Sequence, residues 1–485
     1  MIQTPFKSVF TKKSNFTRQT FDTDPITIDY GGSAKFLIPR HGDFITRVYA
    51  LIDYTSVASL NVNQGHGMLD FASILIGGTM IQQETGETLN MRLNLTEPEN
   101  ETFTVAQVFR MLGGSPSYPF TDTVQYPRPY RLQIPLDFWF HNTPELALPL
   151  CALRYQEVEI EIGLRSSDRW GGTDAGINSS EVRLRIEYGY APKDVVDSLI
   201  NRPLIFPLEQ FQVDEISYTD NTTFCLKPEF VNPVKALFAV FKDQVLEETN
   251  AFDYSRGQIP NGVPTPDGQS RPIITPDIYD FLDSMEIVLD NEILMPKELG
   301  TYKMYRGIQY YSHFPGSCQT IINSANRYYG FVYALSLCKD PMNRTNPNGS
   351  INFSTINNPL FNITAKTSTK DYYLGGPFGA NVLLSDGVTT IEWEFSNPAA
   401  KIGDYVEHYD LPENTKIIAY TEIPRKYIVD KEPINEVGEG TLVKPYIYKK
   451  VIFRLYALSI NLLYIENGIA RLVFTGSEIT LPRYP

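Results

Sequence analysis

Glu181-Val182-Arg183-Leu184-Arg185-Ile186-Glu187-Tyr188 alternates strictly, with Val182, Leu184, Ile186 and Tyr188 on one side and Glu181, Arg183, Arg185 and Glu187 on the other. A period of two is that of a β-strand with one face in a core and one in water. Upstream, Val158, Ile160 and Ile162 alternate with Glu157, Glu159 and Glu161 in the same way. One-sided strands of this kind belong to an antiparallel sandwich. Helical periodicity is scarce: Pro192 to Ile200, with Pro near its start and Asp194 in its first turn, is the piece that reads as a helix. The sequence therefore predicts an all-β chain with a few short helices.

Composition agrees with this reading. The chain has 485 residues, too many for one ordinary domain, and 42% hydrophobic against 20% charged residues excludes a mostly disordered protein. Thirty Tyr and 28 Phe, cut by 34 Pro and 32 Gly, form a strand-and-turn composition. A break falls at 201–207. Residues 18–200 and 208–485 each hold a strand series, 201–207 reads as a linker, and 1–17 as an N-terminal arm. The longest irregular stretches, Asn250 to Pro276 and Asp340 to Asn352, are rich in Pro and Gly and are expected at the surface.

The net charge of −14 argues against a protein whose main surface grips nucleic acid, and no sequence-specific nucleic-acid binding is expected. Cys151, Cys225, Cys318 and Cys338 contain no C-x-x-C pair, so buried free thiols in a reducing compartment are expected rather than a disulfide scaffold or zinc ribbon. Met1 to Phe16 lacks the continuous apolar core of a signal peptide. Val451 to Ile465, the most apolar long stretch, is interrupted by Arg454 and Asn461 and is shorter than a membrane span. The expectation is a soluble chain made in the cytosol.

No phosphate-binding loop and no nucleophile elbow occurs, and Gly31-Gly32 and Gly77-Gly78 read as turns between strands. His41, His66, His141, His313 and His408 show no metal-ligand spacing, so no catalytic, cofactor or metal residue is assigned. A glycosidase carboxylate pair stays open, because distance in space rather than in sequence sets it. Nine Asn-x-Ser/Thr sequons occur, of which Asn343, Asn348, Asn352 and Asn362 in the second half are the acceptors singled out for glycosylation.

Ile134-Pro135-Leu136-Asp137-Phe138-Trp139-Phe140, followed by Leu146-Ala147-Leu148-Pro149-Leu150-Cys151-Ala152-Leu153-Arg154-Tyr155-Gln156-Glu157-Val158, resembles the P-L-x-F-W-F … L-A-L-P-L-x-A-L-x-Y-H-E-V segment of one family. That family is the major capsid proteins of nucleocytoplasmic large DNA viruses, the double jelly-roll proteins of iridovirus-like and phycodnavirus-like capsids. Shorter matches keep the family's order: Phe6 to Phe16, Ile38 to Thr46, Ile76 to Ile81, Leu208 to Gln212, Asn232 to Leu237, Ile351 to Asn358 and Leu455 to Ala470. Together they run from about Pro5 to Phe474. The family's His stands as Gln156 here, and only Met1 to Pro5 precede the F-K-x-V element, where the family usually has some twenty residues.

The resemblance implies two consecutive eight-stranded jelly-roll sandwiches and a non-enzymatic shell protein. It further implies a homotrimer with a pseudo-hexagonal outline that contacts neighbouring capsomers in an icosahedral shell, within a virion assembled in the host cytoplasm. A minor or penton-like capsid component, and less readily a carbohydrate-binding or carbohydrate-active sandwich, are the alternatives. Trp139 in its Phe-Trp-Phe run suits the inside of a roll. Lys7, Lys12, Lys13 and Arg18, with Phe10, make the first eighteen residues a basic and apolar patch without an acidic residue. These residues are expected on the inner face, against minor capsid proteins or an internal viral membrane.

Overall fold

In this computed structural model the alternating stretch is the strand Val182–Tyr190, with Leu184, Ile186 and Tyr188 fully buried and Arg183, Arg185 and Glu187 partly exposed. The structure describes residues 16–28, 32–56, 64–96, 128–141, 143–165, 182–218, 222–243, 280–314, 332–366 and 451–474, with shorter pieces within 252–271 and 380–448.

Eight strands build the first sandwich: β1 (Thr17–Thr23), β2 (Ser33–Leu37), β3 (Phe44–Ser56), β4 (Leu69–Ile76), β5 (Thr79–Thr85), β6 (Arg128–Pro135), β7 (Val158–Leu164) and β8 (Val182–Tyr190). One sheet runs β1-β8-β3-β6 and the other β2-β7-β4-β5, every neighbour antiparallel. Thr27–Ile28 and Leu148–Pro149 add two-residue strands to β2 and β3. The apolar sets of both sheets face each other, and Phe138, Trp139 and Phe140 fill the same core, Trp139 standing edge-on to Phe140 at 4.9 Å. Gly77 and Gly78, both at positive φ, turn the chain between β4 and β5 as expected.

The second sandwich repeats the first. Its strands are β9 (Leu204–Tyr218), β10 (Thr223–Leu226), β11 (Pro233–Asp243), β12 (Leu282–Leu289), β13 (Glu292–Met295), β14 (Tyr333–Ser336), β15 (Pro359–Ala365) and β16 (Val451–Glu466). The sheets run β9-β16-β11-β14 and β10-β15-β12-β13. Subtracting eight from each label returns the order of the first sandwich, so one jelly-roll topology occurs twice. The tight turn between β4 and β5 also has its counterpart, because Asp290 and Asn291 turn β12 into β13 with positive φ. A short hairpin, with Ile469–Leu472 paired to the end of β16, follows the second roll.

Three features depart from the sequence reading. A further six-stranded sheet, with Ala380–Ser385 at one edge and Tyr446–Tyr448 at the other, lies in the chain between β15 and β16. Strand β9 starts at Leu204, inside the segment read as linker, and Leu204 and Leu208 already pack into the first core. Phe252 and Tyr254, in the stretch expected at the surface, are buried. The thiol expectation is corrected too: Cys151, Cys225 and Cys338 are free, but Cys225 is exposed on β10, while Cys318 lies outside the described residues. Lys193–Ile200 is the helix that the sequence predicts, with Pro192 before it. Among the described residues no helix is long and apolar enough to cross a membrane.

Candidate functional site: the seam between the two rolls

The longest α-helix among the described residues, α1 (Gly86–Thr96), follows edge strand β5 directly. Gly86 permits that junction, since a Cβ there would lie 2.0 Å from the carbonyl oxygen of His66. Leu89 of α1 points into the first core, whereas Met91 and Leu95 pack with Phe211, Phe238, Tyr456 and Leu458 on the outward face of the β9-β16-β11-β14 sheet. That sheet is consequently buried on both faces. Phe241, Phe453 and Leu455 fill the second core on its other side. The Gln210 amide donates to the carbonyl of Ile81 at 2.7 Å, joining β9 to β5.

Charged groups are buried along the same contact. Glu87, in the first turn of α1, accepts from Arg454 at 2.9 Å and from the Tyr456 hydroxyl at 2.6 Å, and lies 3.4 Å from Lys242. Arg454 also bonds Glu215 on β9 at 2.8 Å. One turn further along α1, Arg92 donates to Glu209, lies 3.1 Å from Asp137 and 3.6 Å from Glu84, and its guanidinium rests 5.0 Å over the Phe211 ring. Glu209 pairs with Lys235 as well. Arg344 reaches across from the Asp340 to Asn352 loop to Asp137 and to the carbonyls of Phe138 and His141, both at 3.2 Å.

Burial opposes charge on each of these carboxyls, and the neighbouring cations decide the outcome. For Glu209, Lys235 and Arg92 outweigh burial and hold the carboxyl down at about 2. For Asp137, Arg344 and Arg92 do the same, also at about 2. Glu87 is driven well below the usual carboxylate range by Lys242 and Arg454. Glu84 goes the other way, because burial prevails over Arg92. Burial pushes His66 down to about 3 and His141 to about 4. Two rolls locked through desolvated, mutually dependent ion pairs have one relative arrangement that satisfies all partners.

Of the residues singled out from sequence, those within the described residues lie mostly away from this seam. Lys7, Phe10, Lys12 and Lys13 fall outside the described residues. Arg18 sits on β1 opposite Gly189, 3.3 Å from Glu187, with its guanidinium over the Phe16 ring. Asn348, Asn352 and Asn362 are exposed and Asn343 is partly buried. The side-chain oxygens of Asn343, Asn348 and Asn352 cap local backbone N–H groups, while the Asn362 amide donates to Glu286 at 2.9 Å. Among these residues only Asn343 touches the seam, its carbonyl accepting from Lys235 at 3.1 Å. Gln156, the departure from the family pattern, accepts from the Ala470 N–H at 2.6 Å and faces its carbonyl at 3.4 Å, tying the first roll to the C-terminal hairpin. Among the described residues no cluster of His, Cys, Asp or Glu could hold a metal ion.

Residues 4–187 match the family model described as the major capsid protein N-terminus. Over those residues, less than half of the chain, the sequence is similar to that family. A major capsid protein of Pyramimonas orientalis virus is 28% identical over 52% of this chain, an alignment that spans 64% of that relative's length. The major capsid protein of Paramecium bursaria Chlorella virus 1 is 25% identical over 76% of this chain and 83% of its own. Among solved structures, a chain of the quasi-atomic PBCV-1 virus capsid superposes with a TM-score of 0.66 at 19% identity, covering 97% of this chain and all of that one. The fold is that of double jelly-roll capsid proteins, and the match to the family model ends within β8.

Proposed function

We propose that this chain is a shell-forming major capsid protein that works by architecture rather than catalysis, as a homotrimer with a pseudo-hexagonal outline. The observation that carries the reading is the repetition of one roll topology within a chain whose two rolls are locked by a buried charged seam. Three chains around a threefold axis place six similar rolls in a ring, and such a ring tiles a hexagonal lattice with one gene product. The capsid names of the relatives and the capsid origin of the superposed structure support it.

On the same reading the chain contacts neighbouring capsomers, belongs to the virion shell and is assembled in the host cytoplasm. Lys7, Phe10, Lys12, Lys13 and Arg18 face minor capsid proteins or an anionic membrane inside, and Asn343, Asn348, Asn352 and Asn362 are glycan acceptors. Sedimentation of the purified protein tests the core of the proposal: the expected species has three times the 55.1 kDa of one chain. Electron micrographs should show pseudo-hexagonal particles of uniform size. A stable monomer at micromolar concentration overturns it.

A further inference from the structure

The two rolls repeat one corner, in which a short 3₁₀ turn meets the loop before β3 or β11. In the first roll Leu148–Pro149 pairs with the start of β3 and leads into the turn Leu150–Ala152. In the second, Ile351–Asn352 pairs with the start of β11 and leads into the turn Phe353–Thr355. Both turns close alike: the Leu153 N–H donates to the Leu150 carbonyl and that of Ile356 to Phe353, each at 3.1 Å. Both also meet the neighbouring hairpin turn. The Gly77 N–H donates to the Glu157 carbonyl at 2.8 Å, and the Asp290 N–H to that of Asn358 at 3.3 Å. The carbonyls of Leu150, Leu153 and Gln156 therefore correspond to those of Phe353, Ile356 and Asn357.

The loops facing these carbonyls carry opposite charges. In the first roll Arg40, four residues before β3, donates from its guanidinium to all three carbonyls, at 2.8 Å to those of Leu150 and Gln156. In the second roll the residue four before β11 is Glu229, and it is exposed. Here a cavity of about 270 Å³ opens between Lys227–Phe230 on one side and Ile356–Pro359 on the other, so that Ile356 and Asn357 line it. Phe230, buried and edge-on to Phe353 at 6.0 Å, supplies an aromatic wall. The Asp290 carboxylate accepts from the N–H groups of Asn357 at 3.0 Å and Asn358 at 2.8 Å. Two acids thus outnumber Lys227 around the cavity, and carbonyl oxygens add to the negative potential.

We propose that this corner of the second roll binds a guanidinium group supplied from outside the chain, on the acceptors that match those held by Arg40 in the first roll. A guanidinium presents five N–H donors in a rigid planar fork, which suits carbonyls spread along a turn better than the point charge of an ammonium. Glu229 adds a charge-assisted hydrogen bond, and the aromatic wall suits the flat cation. Free arginine and an arginine side chain presented by another protein offer the same group. The site is complete within one chain and does not depend on the trimer.

The test titrates the purified full chain with methylguanidinium and, separately, with methylammonium, read by saturation-transfer NMR and by melting. Methylguanidinium should bind saturably with a millimolar Kd, and methylammonium at least about tenfold more weakly. Glu229→Arg, which puts a guanidinium where the first roll has one, should abolish binding, and Glu229→Gln should raise Kd at least about tenfold. Both replace an exposed side chain, so the fold should be kept. Arg40→Ala should lower the melting temperature, and methylguanidinium should raise it by more than it raises that of wild type. No saturable binding by wild type, unchanged binding by Glu229→Arg, or equal binding of methylammonium overturns the proposal. If Arg40→Ala fails to fold, the two Glu229 variants decide. Free arginine and acetyl-arginine amide separate the sources: stronger binding of the blocked form supports a protein side chain, and stronger binding of the free form supports the amino acid itself.

Discussion

Arg92 shows why buried charge in the seam acts as a lock. It neutralises Glu209 and approaches Asp137 and Glu84 while stacking on Phe211, and all of these but the partly exposed Asp137 are shielded from water. Removing one member of such a network leaves its partners charged and desolvated, which costs far more than the pair contributes when intact. Arg92→Ala is therefore expected to destabilise the protein by about 3–5 kcal/mol in urea unfolding. A loss within experimental error would show that Lys235 and Arg344 suffice for Glu209 and Asp137. Gln156 makes a smaller point with the same logic. Its amide offers one acceptor and one donor toward the backbone of Ala470, whereas an imidazole can present only one ring nitrogen there. Gln156→His, which restores the family residue, is expected to cost about 1 kcal/mol here. No loss in equilibrium unfolding would mean that the hairpin is held by its apolar contacts alone.

At the scale of elements, pH tests how α1 and the Asp137–His141 segment are held. His66 faces Asp137 and the Asn90 side chain, and His141 faces Asp137, Arg344, Arg47 and Glu187. Both imidazoles are neutral in the fold, with pKa values near 3 and near 4 against an ordinary 6.5. A histidine whose folded pKa is depressed takes up its proton first in the unfolded chain. Stability is therefore complete above pH 6.5 and falls as pH drops toward 4, by up to about 1.4 kcal/mol per pH unit for each histidine. Asp137 and Glu209, both held near 2, add their own loss only below the ordinary carboxylate range. The urea midpoint should thus fall between pH 6.5 and 4.5, and His66→Gln with His141→Gln should flatten that slope; an unchanged slope refutes the assignment. These elements were also the hardest to read from sequence. Leu89, Met91, Leu93 and Leu95 recur every second residue, a strand-like period, yet they lie on a helix that packs on both rolls. A helix buried on several sides needs no polar stripe, so the periodicity rule has nothing to detect. Strand β16 hides for the same reason, being covered on both faces, and its polar interruptions are partners in the packing: Arg454 for Glu87, and Ser459 and Asn461 for Gln210. Strand β8 was legible because one face is wet. The six-stranded insertion was not, since nothing in its short strands distinguishes them from strands of the roll.

At the scale of the molecule, the two rolls are two by topology and one by packing. Leu204 and Leu208 at the start of β9, with Leu463, Ile465 and Ala470 from the last strand and its hairpin, belong to the first core. Residues at both ends of the second half therefore complete the first half. Unfolding either roll alone would also expose Met91, Phe211 and Phe238, part Glu87 from Lys242 and Arg454, and part Arg92 from Glu209. The cost of that intermediate exceeds what a marginally stable domain can sustain, so the rolls should unfold together. Trp139 fluorescence, which reports the first core, and hydrogen exchange in β12, which reports the second, should lose their folded signals at one denaturant concentration. Leu463→Ala sharpens the test, because this side chain sits on a second-roll strand yet packs in the first core. Truncating a buried leucine costs about 2–5 kcal/mol, and the loss should move both reporters by the same amount. Two separate transitions, or a shift confined to one reporter, would show that the seam joins the rolls without making them one cooperative unit.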